Sequence, residues 1–240
     1  MAPYAEFLVD FTRRHRDHVH CNTAGNGLAA VIVETRPAYF LPRVIRNVMY
    51  FLGPEWNLYV VTAQSTVDFI HRELRGWRPA VVPVPDELLS RNGGLRREQY
   101  NRLLCSPEFW RWFGEEKLLT FQVDSLLTGA GIGGFLDYDY IGAPCFPPEG
   151  GSFFNGGLAL RTRRLMLACL AGEGPAPGEP EDFFFSRTAA QLGAAVPDLA
   201  TAARFSVESH YLEHPLGVHG TDKFYHSLEV ADRIVRAIRY

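Results

Sequence analysis

Four places along the chain carry side chains able to do chemistry: Asp124 with Gln122 and Ser125, the run Asn155-Gly156-Gly157, the pair Glu181-Asp182, and His219. Asp124 follows an apolar, strand-like run containing Leu118, Leu119, Phe121 and Val123. A carboxylate at the carboxyl end of a buried strand must meet a cation, a donor or water. In open α/β sheets that edge is also where ligands sit. Asp124 is therefore expected to hold a divalent metal, which in turn holds the diphosphate of a nucleotide-activated donor. The alternative is that Asp124 caps the following turn through Ser125. Glycines inside a strand, as at Gly156-Gly157, mark a bulge or a close backbone approach. Glu181-Asp182 open a helical stretch, where acids also compensate the helix dipole. His219 lies with His210 and His214 in 205–220, without HExxH spacing.

Other chemistries are excluded by what the chain lacks. There is no G-x-S-x-G elbow and no P-loop. The run Gly129-Ala-Gly131-Ile-Gly133-Gly134 matches G-x-G-x-x-G, but it lies late in the chain and opens no long helix, so it reads as a glycine-rich turn. Twenty-four Lys and Arg against 27 Asp and Glu give a net charge of -3, with no general pull toward nucleic acid or anionic lipid. The four cysteines form no CxxC pair, which fits reduced thiols in a cytoplasmic protein better than a disulfide scaffold or structural zinc. No apolar run approaches the ~20 residues of a membrane span.

The elements that must position these residues follow from periodicity. Strands are expected at 28–33, 57–62, 80–84 and 117–121, with helices at 39–52, 64–74 and 96–113 between them. Alternation of this kind with short connections predicts a mostly parallel sheet flanked by helices. Beyond it come a short strand at 138–143, a loop at 144–152, a strand at 153–161 broken by its glycines, and helices at 162–171 and from 181 to about 192. Residues 172–180 read as a mobile, Gly/Pro-rich segment. Helices at 4–20 and 222–238 end the chain; a packed N-terminal helix is expected, although its basic end, 13–20, together with Arg96, Arg97 and Arg102, could track phosphates.

The segments VIVETR (31–36), YNRLLCSPEFW (100–110), FQVDS (121–125), DYIGAPC (139–145), NGGLALR (155–161), EDFFF (181–185), FSVE (205–208) and PLGVHG (215–220) resemble an uncharacterised glycosyltransferase-like family of the GT-A type, found in bacteria, fungi and viruses. The resemblance spans roughly 28–220. It implies one α/β domain over 1–240: an N-terminal helix and loop (1–27), a Rossmann-like nucleotide-binding half (28–125), an acceptor and catalytic half (126–220) and a C-terminal helix (221–240). It also implies a metal-dependent glycosyltransferase that moves a hexosyl or pentosyl group from a nucleotide-diphosphate sugar, UDP being the expected nucleotide, to an acceptor hydroxyl.

By the same resemblance, Asp124 matches the last acid of the D-x-D metal motif, and Gln122 replaces the first. His219 matches a late metal ligand. Imidazole favours Mn²⁺ over Mg²⁺. Asp182 is the expected general base and Glu181 the alternative; one base with direct attack gives inversion. Thr35, Arg36, Tyr100, Asn101, Gln122 and Ser125 are expected around the donor, and Asn155, Gly156 and Gly157 around the sugar and acceptor. The 172–180 segment could close over the donor. The acceptor stays open among small molecule, glycan, protein and modified nucleic acid. Two alternatives remain: nucleotidyl transfer on a similar fold, and a ligand-binding module without turnover.

Overall fold

The computed structural model describes residues 3–145, 153–209, 211–220 and 228–238. Most of the expected 144–152 loop, His210 and the first turn of the expected last helix lie outside the described residues. The chain runs α1 (Pro3–Arg14), β1 (Leu28–Val33), α2 (Leu41–Leu52), β2 (Asn57–Thr62), α3 (Val67–Glu73), β3 (Ala80–Pro83), α4 (Arg97–Leu104), α5 (Pro107–Arg111) and β4 (Lys117–Phe121). It continues with β5 (Leu126–Leu127), β6 (Tyr140–Cys145), β7 (Phe153–Thr162), α6 (Arg163–Leu170), α7 (Glu181–Gln191), α8 (Leu199–Phe205), β8 (Ser206–Val207), β9 (Gly217–Val218) and α9 (Leu228–Ala237).

Six strands form the main sheet in the order β3-β2-β1-β4-β7-β6. The first four are parallel, whereas β7 pairs antiparallel with both β4 and β6. Central parallel strands are covered on both faces and read as unbroken apolar runs, and β1 (LAAVIV) is of that kind, buried from Ala29 onward. Proline cannot donate to a ladder, and the two strand prolines, Pro83 in β3 and Pro144 in β6, sit at opposite edges of the sheet. The strand order reverses direction at β1, between β2 and β4, so a crevice opens beyond the carboxyl ends of β1 and β4.

Helix α2 covers the sheet with Leu41, Val44, Ile45, Val48 and Met49, all fully buried at helical spacing. Each such side chain contributes about 1.5–3 kcal/mol on burial. The same helix buries Asn47, whose amide donates to Leu127 O (3.0 Å) and accepts from Leu127 N (2.8 Å). That pair pins β5, and hence the turn after Asp124, to α2. A small second sheet, β5-β9-β8, carries the late chain back to this turn.

Several expected bounds shift for local reasons. The helix expected at 96–113 is two helices, because Pro107 starts a new one and Ser106 Oγ caps it by accepting from Glu108 N (3.2 Å). The N-terminal helix stops at Arg14 rather than 20. Its basic end is partly compensated, since Arg13 and Arg14 both pair with Asp10. Strand β6 starts two residues later than expected and takes in Pro144 and Cys145. Helix α8, which periodicity did not suggest, is capped by Asp198 Oδ1 accepting from Thr201 N (2.7 Å). No helix among the described residues is long and apolar enough to cross a membrane.

Candidate active site

Beyond the carboxyl ends of β1 and β4 lies a cavity of about 950 Å³. Its first wall is the end of β1. Thr62 Oγ1 donates to Glu34 O (2.7 Å) and Thr66 Oγ1 to Thr35 O (2.7 Å), so neighbouring side chains hold this backbone. The Glu34 carboxylate accepts from the Arg36 backbone N (2.9 Å) and from both arms of its guanidinium (2.9 and 3.0 Å). Hydrogen bonds donated to the Glu34 carboxylate, and its negative charge, raise the Arg36 pKa further. Thr35 Oγ1 is buried at this wall with no hydrogen-bond partner among the described residues. Tyr100 and Asn101 face the cavity from α4.

The second wall is the end of β4. Gln122 and Asp124 line the cavity, but Ser125 does not. Ser125 is fully buried and donates through Oγ to Gly157 O (2.9 Å), while Gln122 N also reaches that carbonyl (2.9 Å). Expected around the donor, Ser125 instead lies outside the cavity lining, where its side chain staples the β4 turn to β7.

The floor is a bulge in β7. Opposite β6 the register jumps from Gly142–Ala159 to Ala143–Asn155, so residues 156–158 have no β6 partner. The expected break at Asn155-Gly156-Gly157 is this bulge. A Cβ on Gly156 would overlap the Glu181 carboxylate and crowd the Arg161 guanidinium, and one on Gly157 would overlap the His219 ring. Each glycine is thus required by a different side chain.

Two charged clusters flank the bulge. Beside Gly157, His219 is 5% exposed; its Nε2 lies 3.4 Å from Asp124 Oδ1 and 3.3 Å from Gln122 Oε1, and its Nδ1 lies 3.2 Å from Glu208 Oε1. Burial pulls the imidazole pKa down, but hydrogen bonding and charge from Asp124 and Glu208 more than offset this and raise it to about 9. Cys145 Sγ donates to Glu208 Oε2 (3.1 Å), and burial pushes that thiol up. Among the described residues no group of three or more His, Cys, Asp and Glu side chains is set to hold a metal ion.

Beside Gly156, the N-terminus of α7 presents two carboxylates of different fate. Glu181 is buried against the buried Arg161 guanidinium, in a two-pronged pair at 2.8 and 3.0 Å. The Trp110, Tyr140 and Phe185 rings surround that guanidinium at 5.7, 5.1 and 5.5 Å. Asp182 accepts from Phe183 N (3.0 Å) and Gly156 N (3.4 Å) and lines the cavity. Burial, then the Glu181 charge, raises its pKa to about 6. The segment 172–180 meets the cavity at Pro180, and its Glu179 pairs with Arg187 (3.1 Å).

The cavity thus gathers every expected site residue except Ser125. Sequence reasoning assigned no role to Glu34, Cys145, Arg161 or Glu208. A signal for two of them was present: Val33-Glu34 and Val207-Glu208 each put an acid directly after an apolar strand end, as Asp124 stands three residues past β4.

No curated protein matches the chain in sequence. Solved structures do match in shape. Mouse xyloside xylosyltransferase 1 superposes with a TM-score of 0.54 at 12% identity, over 81% of this chain and 98% of that one. The inositol-1-phosphate CTP transferase of T. maritima gives 0.51 at 10% identity, over 90% and 99%. The glycosyltransferase GlyE of Streptococcus pneumoniae TIGR4 gives 0.50 at 12% identity, over 87% of this chain, which spans only 60% of that chain's length. The fold is therefore the mixed α/β fold of GT-A-like glycosyltransferases, shared with a nucleotidyltransferase. A family model matches residues 81–219, more than half of the sequence and the stretch that carries Asp124, the β7 bulge, Asp182, Glu208 and His219, and the chain belongs to that family, described as Protein of unknown function (DUF5672).

Proposed function

We propose that this chain is a glycosyltransferase that moves a sugar from a nucleoside-diphosphate sugar, UDP being the expected nucleotide, to an acceptor hydroxyl with inversion. One observation carries the reading: Asp182 and the Asp124–His219 pair face the same cavity, at the crevice where the strand order reverses. The likeness of fold to transferases of this kind supports it.

The end of β1, with Thr35 and Arg36, and the facing Tyr100 and Asn101 would receive the nucleotide. Gln122 Oε1 and Asp124 Oδ1 lie 3.3 and 3.4 Å from His219 Nε2, and this amide oxygen, carboxylate and imidazole, the ring giving up its proton to the metal, would form a donor set of the type that suits Mn²⁺ and tolerates Mg²⁺. Glu208 behind Nδ1 would orient the ring, as carboxylates behind metal-binding histidines do. A cation bound there supplies Lewis-acid stabilisation of the departing diphosphate.

In the transfer, the bond from the anomeric carbon to the diphosphate oxygen breaks, and its electron pair leaves on the nucleoside diphosphate. The acceptor oxygen bonds to the anomeric carbon, and its proton passes to Asp182. Asp182 suits this role better than Glu181, because Arg161 occupies the Glu181 carboxylate on both oxygens. Asn155, with Gly156 and Gly157 beside it at the cavity, would meet the sugar and the acceptor. With Glu181 held by Arg161, and with Asp124 and Glu208 facing His219, Asp182 would act as the single base, and direct displacement would invert the anomeric centre. A cytoplasmic setting fits the four free thiols.

The fold likeness to a CTP transferase favours a second reading, nucleotidyl transfer with attack at the α-phosphate. The leaving group separates the two: nucleoside diphosphate is released in glycosyl transfer and pyrophosphate in nucleotidyl transfer. The direct test is thermal-shift screening of nucleoside diphosphates and nucleotide sugars with and without Mn²⁺, followed by transfer assays of the wild type and Asp182→Asn. A metal-dependent shift, with transfer lost in the variant but donor binding kept, supports the proposal. If no nucleotide raises the melting temperature with any divalent ion, the donor-site assignment fails. Binding without turnover in the wild type would leave a binding module.

A further inference from the structure

Helix α7 begins with three phenylalanines in a row after Asp182, and they do not share a fate. Phe184 and Phe185 are fully buried, whereas Phe183 is half-buried and lines the cavity. There it meets Phe153, the first residue of β7, with ring centroids 3.9 Å apart and planes tilted by 34°. Phe153 is also half-buried and faces the cavity. Two adjoining rings held partly open to a cavity, beside a carboxylate, make an apolar platform with a polar edge. Core packing does not require this, since the neighbouring Phe154, Phe184 and Phe185 already fill the interior.

The backbone under each ring is fixed. Phe154 N donates to Ser186 Oγ (3.0 Å), which ties the start of β7 to α7. Phe183 N donates to its neighbour Asp182, so ring and carboxylate keep one relative placement. Around the platform stand Asp182, Asn155, which has its Oδ1 on Gly157 N (2.8 Å), and Glu208, bound by Cys145, the register partner of Phe153. Asp182 is the acid nearest in sequence to the rings, and Glu208 is paired with His219 (3.2 Å); the cavity's arginines, Arg36 and Arg97, come from the β1 end and from α4.

A saccharide ring has the matching chemistry. One face is a patch of C–H groups that lies against aromatic carbon, and the rim carries hydroxyls that reach carboxylate and amide groups. Phosphorylated or carboxylated acceptors would meet the Asp182 carboxylate with like charge. We infer that Phe153 and Phe183 form the acceptor platform, and that the acceptor is an uncharged saccharide whose ring stacks there with a hydroxyl directed at Asp182. This rests on the glycosyl-transfer reading above and narrows its acceptor.

Saturation-transfer NMR tests it directly, with a panel of neutral methyl hexosides and pentosides as probes. A glucuronoside and a sugar phosphate are the anionic controls, and methyl glucosaminide is the cationic one. Neutral probes are expected to receive saturation at their ring C–H protons. Phe183→Ala should weaken their binding about tenfold, and Phe183→Trp should retain it. Phe153→Ala reads the same platform from β7 if Phe183→Ala does not fold. A glycopeptide bearing the binding sugar, compared with its methyl glycoside, separates a glycan acceptor from a free sugar; equal affinity means that the ring alone is recognised. The inference is overturned if no neutral glycoside binds, if both Ala variants bind as the wild type does, or if an anionic or cationic probe binds more tightly. Saccharide binding that depends on Phe183, in a protein that binds no nucleotide with Mn²⁺, would uphold the platform and sink the transferase reading, so the two failures can be told apart.

Discussion

The two sides of the β7 bulge solve the same electrostatic problem differently. At Gly156, Glu181 is neutralised by Arg161, an always-charged partner buried among three rings. At Gly157, Asp124 and Glu208 share His219, a partner that can exchange its proton for another ligand. The first arrangement is permanent and leaves only Asp182 open to chemistry. The second can be remodelled by what binds. A buried arginine suits scaffold and a buried histidine suits a site, and adjacent glycines give each access to the same strand.

The comparison breaks most visibly at Arg161. Arg161→Met leaves Glu181 buried without its cation and should destabilise the fold by about 3–5 kcal/mol. Adding Glu181→Leu should recover most of that loss, as measured by urea unfolding. His219→Gln should instead change stability far less while abolishing the Mn²⁺-dependent nucleotide shift. If the two single variants unfold alike, the distinction between scaffold and site is wrong.

Next in size is Asp182→Asn, which should lower transfer about 10²–10⁴-fold, as loss of a general base does. Its pH dependence has a definite sign. The Asp182 carboxyl is raised from 3.8 to about 6 in the fold, so the folded state binds that proton more tightly than the unfolded chain. Its contribution to stability is complete below 3.8 and is lost as pH rises through about 6. Transfer should rise over the same window as the base ionises, and the Asn variant should show neither change. A transfer rate flat from pH 5 to 8 would remove Asp182 from the mechanism.

Smaller effects sharpen the contrast between the glycines. Gly156→Ala and Gly157→Ala each force a methyl group into an occupied space, at about 1–3 kcal/mol. The first should act mainly on stability, through the Arg161–Glu181 pair, and the second mainly on Mn²⁺-dependent nucleotide binding, through His219. Calorimetry on both variants checks this. Smallest is Ser125→Ala. It removes the hydrogen bond to Gly157 O and the longer one accepted from Gln122 N (3.3 Å), while Gln122 N still reaches that carbonyl, a loss of about 1 kcal/mol with donor affinity unchanged. A large fall in donor affinity would return Ser125 to the binding site.

Local pattern made the main strands readable. Strands at 28–33, 57–62 and 117–121 match the structure because short runs dominated by apolar residues have few alternatives in a covered sheet. The broken strand at 153–161 was legible for the same reason, since glycine inside such a run has a limited set of uses. Pairing was less visible: nothing local says that β7 runs antiparallel beside β4, or that β9 returns to β5.

The sequence by itself determined which residue types stand at the strand ends and the helix start: Asp124, the acids at 181–182 and the glycines at 156–157. Tertiary structure alone decided their partners. It set Arg161 on Glu181 and so left Asp182 to the cavity; it brought Glu208 behind His219, and it turned Ser125 inward. The physical reason is range. Periodicity and capping act over a few residues and can be read along the chain, whereas a charge finds its counter-ion through space, 20 residues away for Arg161 and Glu181 and 97 for His219 and Gln122.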